Sequence, residues 1–351
     1  MSDTPEEMPD NTTDRPLVTF ALFAYNQENY IREAVEGAFA QTYEPLEIIL
    51  SDDCSTDRTF DIMKEMAANY DGPHDVITRR NFQNLGTAMH VQGVADTMTG
   101  KLMVVAAGDD ISLPHRVSRV VTHWTENGRC AVMLHSEAKV FFNDDIDDLK
   151  AQPLREPDLH LVDLDWYLRN QRNPTRAPTA AYAAELFNDF PPLIGGSVIE
   201  DAPLFYRSIL CGHIQSIPEP LILYRHLENS AGRGFSVSNI NRWNQTLRSR
   251  IISEFNQLQD IASVEGLTDS ERKLLEGKCR SQIKGLGRCV LSKDSGGQFH
   301  RRVQAFLIIL LFYPRREKLY IRLAEALIFS NLARTETLKN IKNMLRKIFS
   351  V

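Results

Sequence analysis

Long apolar runs are missing from this chain. The longest, Ala305 to Tyr313, is nine residues, well short of the roughly 18 that cross a bilayer as a helix. No membrane-spanning helix is therefore expected. Cysteine is scarce: Cys54, Cys130, Cys211, Cys279 and Cys289 are an odd number without a CxxC pair or histidines at metal-ligand spacing. That argues against a disulfide scaffold or structural zinc and for a reduced, cytoplasmic protein. With 18 glycines and 16 prolines in 351 residues, collagen-like and low-complexity chains are excluded. No GxGxxG follows the first strand-like run, which disfavours a dinucleotide-binding dehydrogenase. The N-terminus, MSDTPEEMPDNTTD, is acidic and polar, the opposite of a secretory signal. Residues 1–15 read as a disordered leader.

What is present is a globular composition, 43% hydrophobic and 25% charged, in one large or two ordinary domains. The net charge of −6 conceals an asymmetry: residues 1–240 carry 19 Lys/Arg against 36 Asp/Glu, and residues 241–351 carry 21 against 10. Such a split suggests two modules with different partners.

The first 130 residues alternate short apolar runs with helical patterns. Leu17–Phe23, Leu46–Leu50, Val76–Thr78, Leu102–Ala107 and Ala131–Leu134 read as strands. Ile31, Ala34, Val35, Ala38 and Phe39 share one helical face, as do Phe60, Met63, Ala67 and Tyr70. Val91–Thr99 reads as a further helix. This rhythm predicts an α/β domain with a mainly parallel sheet and right-handed crossovers. From 140 to 180 the pattern loosens into expected loops. Ala180–Phe190 reads as a helix ended by Pro191-Pro192, and the chain from Asn239 onward as nearly all helix.

Three polar clusters follow three of the strands: Tyr25-Asn26-Gln27, Asp52 to Asp57, and Gly108-Asp109-Asp110. In an open parallel sheet they meet at the carboxyl rim, where ligands bind. Four aspartates gathered there repel one another unless a cation joins them, and a phosphate ligand bridged by Mg²⁺ or Mn²⁺ suits hard oxygen donors. Each cluster alone also reads as a turn or helix cap; their shared position after successive strands favours a site.

The segment Val18–Pro114 resembles the N-terminal half of family 2 glycosyltransferases. It carries Ala24-Tyr25-Asn26, Ala40-Gln41-Thr42-Tyr43, Ser51 to Asp57, Asn84-Leu85-Gly86 and Gly108 to Pro114 in matching order and spacing. Ile199-Glu200-Asp201 and Tyr224-Arg225-His226 resemble that family's acceptor side, extending the likeness to about residues 16–235. The resemblance implies the GT-A fold, a Rossmann-like, mainly parallel sheet flanked by helices, here followed by a helical C-terminal region. It implies a nucleotide-binding half over 16–115, an acceptor half over 116–238, and a basic helical region over 239–351.

The implied activity is inverting transfer from a nucleotide-sugar donor, commonly UDP-linked, to a glycan or lipid-linked glycan. Ala24, Tyr25 and Asn26 would lie against base and ribose, Asp52 beside Asp53 would meet the base, and Asn84 and Gly86 would approach the nucleotide. Asp109 matches the last Asp of the family's DxD metal pattern, with Asp110 beside it, for Mn²⁺ or Mg²⁺. Ala107 replaces that pattern's first Asp, which keeps open a catalytically silent binding or scaffold protein. His226 matches a histidine at the metal or diphosphate, and Asp201, beside Glu200, matches the catalytic base. Glu200-Asp201 also reads as a cap for a helix over Ala202–Cys211. A sugar-nucleotide pyrophosphorylase would want a Gly-rich phosphate loop after the first strand, which is missing. Arg79 and Arg80 read either as diphosphate partners or as exposed strand-end charges.

In the last third, Leu338, Ile341, Leu345, Ile348 and Phe349 share a helical face flanked by Lys339, Lys342, Arg346 and Lys347. Residues 298–351 thus suit either an anionic membrane surface on the cytoplasmic side or a helical bundle, including one joining subunits of a homo-oligomer. Nucleic acid is not an expected partner, because no binding motif accompanies the charge.

Overall fold

The computed structural model describes residues 15–292 except 127, 143–144, 154–160, 176, 196–200 and 227–239. The chain divides into two compact units between Leu286 and Gly287. The 1–15 leader (Arg15 apart) and the basic 298–351 segment lie outside the described residues.

The first half follows the expected rhythm. Strand β1 (Val18–Ala24), helix α1 (Ile31–Phe39), β2 (Leu46–Asp52), α2 (Thr59–Ala68), β3 (Asp75–Arg80), α3 (Thr87–Ala95) and β4 (Leu102–Ala107) succeed one another. β1 pairs in parallel with both β2 and β4, and β2 pairs in parallel with β3. The register sets Ala24 beside Asp52 and Phe23 beside Ala107, so the carboxyl ends of these strands form one rim. β1 and β2 are almost wholly buried, as an apolar strand covered on both faces requires. α1 buries Ile31, Ala34, Val35 and Ala38 against them.

The second half is mixed. After β5 (Ile111–Ser112) and α4 (Arg116–Glu126) come β6 (Ala131–Phe142), β7 (Asp145–Gln152), β8 (Leu161–Val162) and α5 (Leu164–Asn170). β9 (Ala180–Ala183), the one-turn α6 (Glu185–Asn188), α7 (Asp201–Cys211) and β10 (His213–His226) complete the sheet. Its strand order is β3-β2-β1-β4-β9-β6-β10-β5, with β7 on β6 and β8 on β10. β9 runs antiparallel to both β4 and β6, and β6 runs parallel to β10. The carboxyl ends of β6 and β10 therefore point to the same rim as those of β1 and β4.

Two expectations are corrected. The helix expected over Ala180–Phe190 is instead β9 followed by a single turn, and Ala180, Ala181, Tyr182 and Ala183 are all buried between two strands. Alanine favours helix, but small side chains fit a central strand covered on both faces, and tertiary pairing overrides propensity. β6 extends to Phe142, and the region expected as loops forms the β6–β7 hairpin.

Beyond β10, α8 (Ile240–Ser263) and α9 (Asp269–Ser292) are helical as expected. Their inner residues Ile261, Leu275 and Cys279 join the core formed by Leu204, Phe205 and Ile209 of α7. Arg207 of α7 and Asp260 of α8 form a fully buried ion pair at 3.1 Å, and Arg207 also donates to the carbonyls of Leu186 and Pro191. Removing one partner of such a pair leaves a buried charge and costs about 3–5 kcal/mol. Among the described residues no helix is long and apolar enough to cross a membrane.

Candidate active site

The loops after β1 and β2 interlock. Asn26 adopts a left-handed backbone (φ 52°), as does Cys54 (φ 65°). The Asn26 N–H donates to Ser55 Oγ at 2.8 Å, and Asn26 Oδ1 accepts from the Thr56 N–H at 2.8 Å. Gln27 N–H donates to Thr59 Oγ1, and Glu28 N–H to Asp57. Asp57, expected among the candidate caps of α2, accepts from the N–H and hydroxyl of Thr59. Tyr25 is left 45% exposed.

Asp52 and Asp53 are buried at the end of β2, where the chain itself supplies donors. Asp52 Oδ2 accepts from the Ser55 N–H at 2.9 Å and pairs with Arg80 at 3.2 Å, while Oδ1 is buried without a partner. Asp53 accepts from Asn81 Nδ2 at 2.8 Å, the Leu85 N–H at 2.9 Å and the Gly86 N–H at 3.0 Å. Asp53 thus ties down the loop that carries Asn84 and leads through Gly86 (φ 77°) into α3. A positive φ of this kind costs glycine little. Of the two adjacent arginines, Arg79 donates to Ser51 Oγ and Asn81 Oδ1, and Arg80 to the Ser55 carbonyl. Both are occupied by the loops they brace. Ser51 also meets His90 at 2.6 Å, and burial pulls that imidazole down to about 4.

Gly108 follows β4 at a point where a Cβ would come within 2.6 Å of Gln27 Oε1 and 3.0 Å of Ala24 Cβ. A side chain here would displace the Gln27 amide and crowd Ala24 and Ile31, so glycine suits the close pass of the third loop by the first. Asp109 and Asp110 follow. Burial raises the Asp109 carboxyl above the usual range, against a hydrogen bond from Gln27 and the charge of Arg225. Asp110 is raised further, by burial and then by the Asp109 charge. The nearest counter-charges are arginines absent from the expected site. Arg225 donates its N–H to Asp110 Oδ1 at 2.9 Å and its Nε–H to the Asp109 carbonyl at 3.0 Å. Arg116, fully buried on α4, acts on Asp110 by charge, and burial pulls it down to about 10. A charged residue inside the apolar run LILYRH was the sequence signal for Arg225; nothing local marked Arg116.

His226 ends β10, its ring 4.6 Å from that of Phe142. Among the described residues no three His, Cys, Asp or Glu side chains gather closely enough to hold a metal ion, so the structure does not join His226 to Asp109 and Asp110 as one ligand set. Two adjacent carboxylates with raised proton affinity, Asp110 buried and Asp109 partly so, nonetheless fit a hard divalent cation in donor chemistry, since a cation would relieve both desolvation and repulsion. Asp201 is the first residue of α7. That helix packs on β6 and β10 and ends just before β10 begins, so Asp201 lies toward the carboxyl rim. Glu200 lies outside the described residues. Tyr167 is buried against Phe205 and Tyr206.

Residues 19–164 match the family described as Glycosyl transferase family 2. An uncharacterized protein of Mycobacterium tuberculosis is 31% identical over 211 residues, which is 59% of this chain and 58% of the relative. An uncharacterized glycosyltransferase of Haemophilus influenzae is 34% identical over 118 residues, 34% of this chain and 36% of the relative. The chain therefore spans less than two thirds of either relative. Among solved structures, S. aureus TarS 1–349 in complex with UDP-GlcNAc matches with a TM-score of 0.59 at 16% identity, covering 86% of this chain and 82% of that one. At that identity the likeness establishes the shared fold. Residues 19–164 are thus similar to glycosyl transferase family 2, within a fold shared with TarS.

Proposed function

We propose that the protein is an inverting glycosyltransferase that moves a sugar from a UDP-linked donor to a hydroxyl of a glycan or lipid-linked glycan in the cytoplasm. The observation that carries this reading is the convergence of the Asn26, Asp52–Ser55 and Asp109 loops on one rim of a parallel sheet. The matching TarS chains, solved with UDP-GlcNAc and with UDP, support the donor class.

In this reading Ala24, Tyr25 and Asn26 line the base and ribose. Asp52 and Asp53 hold the nucleotide end of the rim, and the Asn84–Gly86 backbone approaches the ligand. Asp109, with Asp110 beside it, holds Mn²⁺ or Mg²⁺, which when bound offsets the charge of the departing diphosphate. His226 serves as a diphosphate partner. Asp201 takes the proton of the acceptor hydroxyl from within about 3 Å, on the face opposite the leaving group. The basic 298–351 segment would hold the enzyme at an anionic membrane surface bearing the acceptor.

The test is release of UDP from a panel of UDP-sugars, with and without candidate glycan acceptors. Asp201→Asn should cut transfer by about 10²- to 10⁴-fold while UDP binding is retained. Unchanged transfer in a folded variant removes the base assignment. A folded wild-type protein that neither binds UDP nor cleaves any UDP-sugar overturns the reading in favour of a silent binding protein.

A further inference from the structure

Arg225 reaches the Asp109-Asp110 pair from a distant part of the chain. Antiparallel pairing of β5 with β10 sets Leu223 opposite Ile111 and Ile222 opposite Ser112. The same register, continued, carries Arg225 alongside Asp109. Its side chain is only 4% exposed, and the guanidinium lies 4.8 Å from the Tyr30 ring centre and 4.5 Å from that of Phe141. A charge so buried needs a partner, and Glu33 of α1, itself half exposed, provides it. The Nε–H meanwhile donates to the Asp109 carbonyl at 3.0 Å, and the Arg225 main-chain N–H donates to Asp110 Oδ1 at 2.9 Å. The fork of one arginine thus ties the backbone of the third loop to α1.

We propose that Glu33 and Arg225 are a positioning pair for the cation at Asp109. Arg225 fixes the Asp109 backbone, and Glu33 keeps the guanidinium engaged there instead of on the two aspartate carboxylates. The inference rests on the transferase reading and deepens its metal site. Guanidinium and carboxylate favour a bidentate ion pair, and an arginine so placed, without Glu33, would take the oxygens a cation needs. Its positive charge would also oppose the cation. Glu33 answers both, as a competing acceptor and as a compensating charge. Tyr30 and Phe141 restrict the planar fork to one arrangement, which the flexible single ammonium of lysine would not reproduce. Neither Glu33 nor Arg225 touches the cation; both act through Asp109 and Asp110.

The test titrates Mn²⁺ alone into the full chain and follows loss of the free-ion signal by electron paramagnetic resonance, with urea denaturation of the metal-free proteins beside it. Glu33→Gln keeps the shape at a half-exposed position, Arg225→Lys keeps the charge, and Arg225→Met keeps the length without the charge. Each should weaken Mn²⁺ affinity about 10- to 100-fold, the usual loss when a group that orients a metal ligand is removed. Arg225→Met decides between positioning and plain charge. Losing a nearby positive charge alone would tighten Mn²⁺ binding, whereas losing the donor to the Asp109 carbonyl weakens it. Tighter binding by Arg225→Met overturns the pair's role, as does unchanged affinity in Glu33→Gln and Arg225→Lys, whatever their stability. Either result leaves the metal reading standing. A folded wild type that takes up no Mn²⁺, alone or with UDP, removes the metal reading and the positioning role with it.

Discussion

Two aspartate pairs stand on the same rim and are treated oppositely by the fold. Asp53 accepts three hydrogen bonds from its own chain, and Asp52 accepts one and pairs with Arg80. Asp109 and Asp110, two strands further along the sheet, are pushed upward by burial, and Asp110 also by its neighbour's charge. The first pair uses its charge to build the loops that shape a pocket. In the second, burial disfavours the charged form against the nearby Arg225 and Arg116, a strain that a cation would relieve. The contrast is sharpest between Asp53, which accepts three hydrogen bonds from its own chain, and Asp109, whose carboxyl burial pushes upward.

The comparison breaks most severely if the first pair is disabled. Asp53→Ala strands the Leu85 and Gly86 N–H groups and frees the Asn84 loop. It should lower the unfolding free energy by about 4 kcal/mol, the scale of several charge-assisted bonds less relaxation, measured by urea denaturation. A loss under about 1 kcal/mol would mean that the loop is held by other means.

The pH dependence of the same region should follow His90. Burial lowers its folded-state value from 6.5 to about 4, so the neutral imidazole is the native form. Its contribution is intact above the unfolded value and is lost as pH falls from about 6.5 toward 4, amounting to about 3 kcal/mol. His90→Gln, which keeps a polar partner for Ser51, should flatten the stability curve across that window. A wild-type curve already flat there contradicts the burial.

The smallest effect belongs to the second pair. Asp109→Asn removes a like charge from Asp110 and should leave stability unchanged or raise it by about 1 kcal/mol. Mn²⁺ should raise the melting temperature of the wild type and leave that of the variant unchanged. Equal stabilisation by Mn²⁺ in the variant would place the cation elsewhere.

The first half was legible because its signals are local. Each apolar run of β1, β2 and β4 ends in a polar cluster, and α1 and α2 carry unbroken faces. The second half was less so. β9 reads as helix because its identity depends on two distant strands, β4 and β6, that no window of eleven residues contains. β6 runs on through His135, Ser136 and Lys139, whose polarity conceals a strand paired on both sides. The sequence set both aspartate pairs at strand ends, where the structure has them. It did not distinguish their roles, since the Leu85 and Gly86 donors to Asp53 come from 32 and 33 residues away and Arg225 from more than a hundred beyond Asp110. Such long-range partners leave no periodic trace.

The most direct measurement of the central claim is calorimetric titration of the wild type and Asp109→Asn with UDP, each with and without Mn²⁺. The account predicts UDP binding to the wild type that requires Mn²⁺ and is lost in Asp109→Asn, with both proteins equally folded. UDP binding of equal strength with and without the metal, or undiminished in the variant, would contradict it.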